Sequence, residues 1–281
     1  IFYHYNYEYQ TWYYYGYIPG QNQMFALFPY MVLTSGYACI LTADLKKGYF
    51  TKEPEMLKML SEIFENCHSH ASRFASLADS ANHAAEQMAF LSATFSERST
   101  GYSLQMEPCF MPVLTKEILQ KYVRKDLPGR EIFLVQLQDY TRQLAKQKMI
   151  YICSMEGILR FLQNGRIPEI PDGLYEIPSV SDRIQIVKAL LAPERATRLR
   201  ILKNSIGNTE TPIYLYITPK TGTLRLPLAT DQMVNLQIQE TGMLEAFYDF
   251  CENLDEEMFY SFEEAEQIVE EEMKAGDWKT E

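Results

Sequence analysis

"MIYICSMEGILRFLQNG", residues 149–165, decides the fold. Met149–Cys153 is an apolar run of strand length, rich in β-branched and aromatic side chains. Ser154 follows it directly, and its hydroxyl suits the first position of a helix. Gly165 closes the helical stretch, where a left-handed residue ends a helix most easily. A strand that runs straight into a capped helix is the building block of a mixed α/β layer.

Downstream, Pro168, Pro171 and Pro178 forbid a helix through "IPEIPDGLYEIP" (167–178), which reads as an extended linker. "SDRIQIVKALLA" (181–192) is helical again, with Ile184, Val187, Leu190 and Leu191 on one side. Four strands follow: "RLRILK" (198–203), "IYLYI" (213–217), "TLRLP" (223–227) and "VNLQIQ" (234–239), with Pro219–Gly222 as a turn. Two helices close the chain. The first carries Met243, Leu244, Phe247, Phe250, Cys251 and Leu254, and the second opens on a capping box, Ser261 answered by Glu264.

Upstream, helices are expected at 115–124 and 129–146. "STGYSLQMEPCFMP" (99–112) is rich in turn formers and reads as a break, with a domain boundary near residue 105. Before it, 28–51 reads as a β-hairpin, and Met56, Leu57, Leu60, Ile63, Phe64 and Cys67 begin one long or two consecutive helices over 54–96. The expected fold is α+β (mixed α/β): residues 1–105 form an aromatic start, a hairpin and long dimerising helices, and 106–281 form an α/β sandwich on a sheet of roughly five strands with two acidic C-terminal helices.

Ten of the first seventeen residues are aromatic. As a strand, this stretch puts Tyr3, Tyr5, Tyr7 and Tyr9 on one face and His4, Asn6 and Glu8 on the other. Such a row either stacks on a flat ligand or packs against protein; a seam against protein is the reading adopted, because exposed apolar rows are unusual on monomers.

The net charge of −11 is placed unevenly: residues 240–281 hold fifteen acids and two bases. No Lys/Arg-rich stripe is present, so these residues do not grip nucleic acid on their own. No apolar run reaches the ~20 residues that cross a bilayer, and the expected compartment is the cytoplasm. Cys39, Cys67, Cys109, Cys153 and Cys251 are scattered and odd in number, which suits free thiols in a reducing compartment.

Phosphate-loop, dinucleotide and nucleophile-elbow motifs are absent, so no cofactor is expected. Cys67 and His70 share a helix face, but a zinc site needs two further ligands and His83 is thirteen positions on, so no metal is expected. No catalytic residue is assigned. The ligand-binding candidates are Tyr151, Arg160, Tyr175, Arg183 and Glu240, which topology places between the sheet and its helices; ion pairing is the plain alternative for the charged ones.

The passage 151–191, with "QETGMLEAFYDFCENL" (239–254) and "YSFEEAEQIVEEEM" (260–273), resembles the C-terminal region of Firmicutes-type helix-turn-helix transcriptional regulators. The hairpin 28–51 leading into a helix is similar to their layout. The resemblance implies an effector-sensing, dimerising part of a regulator, a homodimer with an unknown small-molecule effector, whose DNA-binding domain lies upstream of Ile1. The rival expectations are a hydrolase-like enzyme using Glu240 and an arginine, and a protein-interaction module docking through the tyrosines and the acidic tail.

Overall fold

The computed structural model describes residues 10–14, 27–77, 100–170, 172–206, 213–227 and 233–276. The chain divides into two compact units, one covering Glu8–Ala75 and the larger taking in Ser76–Glu281. The row Tyr3–Tyr9 and residues 78–96 of the helical region expected over 54–96 lie outside the described residues; in the described part the helix ends at His70, and 72–73 and 75–77 are strands instead.

In the smaller unit, β1 (Trp12–Tyr13) pairs with β5 (Ser72–Arg73), and β2 (Tyr30–Leu33), β3 (Ala38–Leu41) and β4 (Gly48–Thr51) form an antiparallel sheet. The expected hairpin therefore has a third strand. The Thr34 hydroxyl accepts from the backbone of Gly36 and Tyr37 and fixes the first turn. Leu45 takes a positive φ of 58° in the second. Helix α1 (Pro54–His70) starts with Pro54 in its first turn and Glu53 capping Met56 N at 2.7 Å. Trp12 meets His68 of α1 edge-on, with ring centroids 4.3 Å apart, while Trp12 and Tyr14 both stay partly open to solvent.

The larger unit is an α+β fold on one mixed sheet. Its strands are β6 (Ala75–Leu77), β7 (Thr100–Gln105), β8 (Lys148–Ser154), β9 (Leu199–Leu202), β10 (Tyr214–Ile217), β11 (Gly222–Pro227) and β12 (Met233–Ile238), in the spatial order β6-β12-β11-β10-β7-β8-β9. β7, β8 and β9 are parallel; β10, β11 and β12 are antiparallel. The helices are α2 (Lys116–Tyr122), α3 (Arg130–Lys146), α4 (Met155–Asn164), α5 (Val180–Leu190), α6 (Thr241–Glu252) and α7 (Phe262–Ala275). The Asp182 carboxylate accepts from Lys121 and from the Tyr122 hydroxyl and so ties α5 to α2.

Each strand alternates between two faces. Met149, Tyr151, Cys153, Leu199 and Ile201 meet Leu134, Leu137 and Leu144 of α3, Ile158 and Phe161 of α4, Ile186 and Val187 of α5 and Val269 of α7. Tyr102, Leu104, Leu215, Ile217, Leu224 and Leu236 form the opposite face. There Tyr248 of α6 meets Tyr102 edge-on, with ring centroids 5.1 Å apart.

The expected break at 99–112 is the main departure. Thr100–Gln105 is the strand between the parallel and antiparallel halves, and the unit boundary falls after Ala75 rather than near 105. Its turn-like composition has a packing cause. A β-carbon on Gly101 would lie 2.5 Å from Ile217 O and 2.9 Å from Met149 Sδ. Ser103 sits opposite both Tyr151 and Tyr216, where a large residue would crowd two rings.

Gly101→Ala is therefore expected to cost roughly 1–3 kcal/mol, a fall of about 2–12 °C in the melting of a unit this size. Gly36→Ala, with nothing within 4 Å of the new carbon, is expected to stay within about 0.5 kcal/mol of wild type. Thermal unfolding followed by circular dichroism separates the two.

Candidate functional site

The site grows out of the end of β8. Ser154 N and Oγ each donate to Met106 O at 3.0 Å, and the same hydroxyl accepts from Gly157 N at 3.1 Å. One serine thus caps α4 and anchors the loop that leaves β7. A β-carbon at position 157 would stand 2.1 Å from Met106 O, so only glycine allows this approach. The anchor puts Glu107 beside α4, where Arg160 Nη1 reaches its carboxylate at 3.2 Å and Arg160 Nη2 reaches Glu156 at 2.6 Å.

Helix α4 ends at Gly165, with φ 67°, whose N–H bonds Phe161 O at 2.7 Å. The turn releases Arg166 and Pro168 along the rim of a crevice of about 260 Å³. The sheet supplies the opposite wall. Tyr214 and Arg225 are direct cross-strand partners, and the Arg225 guanidinium lies 5.4 Å from the centre of the Tyr214 ring. The Tyr214 hydroxyl donates to Glu107 at 3.0 Å. Burial and the adjacent Glu107 push the Tyr214 phenol well up, so it stays a donor. Three guanidiniums, of Arg160, Arg166 and Arg225, face one lining carboxylate. Arg160 is shared between Glu107 and Glu156, and guanidinium forks of this kind match the geometry of carboxylates and phosphates.

Behind this wall the sheet face is polar. Gln105 donates to Glu169 Oε1 at 3.0 Å. Tyr151, Ser103, Tyr216 and Thr223 lie in one cross-strand row. Tyr151 OH, Thr223 Oγ1, Glu169 Oε2 and Arg225 Nε are shut off from solvent without a hydrogen-bond partner. Burial raises the Glu169 carboxyl, against the opposing hydrogen bonds of Cys109 and Gln105. Burial, then the neighbouring Glu169, pushes the Cys109 thiol far up; a protonated thiol is a poor nucleophile.

Of the residues expected at a ligand site, only Arg160 lines the crevice. Tyr151 lies in the buried row behind it. The Tyr175 hydroxyl accepts from Ile167 N at 2.7 Å and steadies the segment that follows Arg166. Arg183 donates to the carbonyls of Pro178, Leu162 and Gln163, closing the end of α4. Glu240 caps α6, accepting from Gly242 N at 2.7 Å and Met243 N at 2.6 Å. These three are not brought together with Arg160. Glu107, Arg166, Tyr214 and Arg225 went unread; a charged residue inside the apolar alternation of "TLRLP" was the available signal. Among the described residues no group of three His, Cys, Asp or Glu side chains is placed to hold a metal, and no helix is long and apolar enough to cross a membrane.

The raised Glu169 carboxyl has a signed consequence. The unfolded chain releases this proton near pH 4.3, below the folded state, so stability falls as pH rises from there toward the folded value. Glu169→Gln is expected to remove that decline, so the melting difference, variant minus wild type, grows from pH 4 to pH 7. A flat difference would show that Glu169 titrates normally.

No protein-family model, no curated protein and no solved structure matches this chain.

Proposed function

We propose that the chain is the effector-sensing and dimerising part of a bacterial transcriptional regulator, and that its effector is a small anion bound in the arginine-lined crevice. The observation that supports this most is the convergence of Arg160, Arg166 and Arg225 on one crevice at the end of β7. There the strand order reverses: β8 and β9 extend the sheet one way, β10 to β12 the other. Reversals of this kind, at the carboxyl ends of parallel strands, are where α/β sheets bind ligands. The regulatory assignment rests on the resemblance of 151–191 and the two closing helices to Firmicutes regulators. In those proteins the DNA-reading segment comes first; on this reading it precedes Ile1. The effector acts by binding one arrangement of the regulator better than another.

Thermal melting in a panel of small anions at fixed ionic strength tests the crevice. At about a hundredfold excess over Kd, a bound anion adds ~2.7 kcal/mol, several degrees for a unit of this size. Arg225→Ala is expected to abolish that gain. No saturable rise in wild type across carboxylates and phosphates would sink the reading. Sedimentation of the purified chain checks the dimer; a monomer at tens of micromolar would remove that part of it.

A further inference from the structure

The crevice already binds a carboxylate, and it is the protein's own. Glu107 gives one oxygen to Arg160 Nη1 at 3.2 Å and the other to the Tyr214 hydroxyl at 3.0 Å. A guanidinium and a phenol on opposite walls thus grip the two oxygens of one planar group. Building on the crevice as effector site, we propose that Glu107 is an internal stand-in for the ligand, and that the effector is a small di- or tricarboxylic acid whose carboxylate displaces it from Arg160 and Tyr214.

Three features make the exchange workable. First, the loop is anchored one residue earlier, through Met106 O, so the Glu107 side chain can swing away without undoing the cap of α4. That side chain is 22% exposed and has water to turn to. Second, Arg160 does not depend on Glu107 for its aim. Its Nη2 stays on Glu156, which is itself held by Ser205 Oγ at 3.1 Å, so Nη1 remains presented to whatever replaces Glu107. Third, the Tyr214 phenol keeps its proton across the physiological range and still donates after the exchange.

Exchange alone conserves the two bonds, so a monocarboxylate gains little. A second carboxylate finds the Arg225 guanidinium, which lines the same crevice beside Tyr214. The stand-in lowers apparent affinity, because the incoming acid must first displace a charged partner.

The test is calorimetric titration of wild type and Glu107→Gln with succinate, citrate and inorganic phosphate at constant ionic strength. Glu107→Gln keeps the side chain's shape and removes its charge. It is expected to bind succinate and citrate about tenfold more tightly than wild type, in line with removal of one partly exposed charged hydrogen bond. Glu107→Ala is expected to shift affinity in the same direction, and Tyr214→Phe in the Glu107→Gln background to lose most of the gain. Equal or weaker carboxylate binding by both Glu107 variants, with folding intact by circular dichroism, overturns the stand-in while leaving the crevice as an anion site. Phosphate bound in preference to both acids overturns the carboxylate class. Failure of all three probes in every variant overturns the crevice reading and this inference with it.

Discussion

The Met106 carbonyl is the point on which the larger unit turns. It accepts two hydrogen bonds from Ser154, one from the backbone and one from the hydroxyl, and it lies against the bare α-carbon of Gly157. The backbone bond extends the parallel pairing of β7 and β8 past Gln105, so it sets where the loop after β7 begins. The hydroxyl also satisfies an orphan N–H of α4, so the helix starts one residue after the strand stops. With α4 placed this way, Arg160 comes up one turn later beside Glu107. A side chain at 157 would separate loop from helix and dissolve this arrangement, although neither Met106 nor Gly157 touches the crevice contents.

The sheet that carries this knot is chemically one-sided. The face under α6 is mainly Leu, Ile and Tyr, the pattern that burial demands. The other face is apolar only where α3, α4, α5 and α7 meet it, across β8 and β9. Toward β10 and β11 it turns to Gln105, Tyr214, Tyr216, Thr223 and Arg225. Buried polar atoms without partners each cost about 1–3 kcal/mol, and four of them lie on this face or against it. Core packing alone would favour replacing them with Val or Leu. These polar groups lie beside the guanidinium-lined crevice, away from the helices that cover β8 and β9.

Local features were legible in the sequence and distant ones were not. Ser154, Gly165 and the Ser261–Glu264 box act through bonds within a few residues, and each helix end falls where they put it. β7 was hidden because "TGYSLQ" meets its reasons elsewhere: Gly101 is small for Ile217 and Met149, Ser103 for two tyrosines on neighbouring strands. The same holds for the arginines. Arg160 and Arg183 look alike in sequence, polar residues on short helices beside a proline-rich stretch. One points at a crevice carboxylate and the other at three carbonyls, and only the fold of 162–178 separates them. Arg225 reads as an ordinary solvent-facing residue of an alternating strand until its register with Tyr214 is known.

The position of the crevice follows from the order of the strands. The chain leaves β7 at Gln105 to make α2 and α3, and β10 starts beside it at Tyr214, paired with Gln105 itself. A departing loop and an arriving strand therefore share one end of the sheet, with α4 covering the β8 side of it. The three arginines come from a helix, a turn and a strand that no local pattern links. All three line the same crevice. Glu107 pairs with the first of them, so a departing loop, a helix, a turn and a strand all contribute charged groups to one small opening.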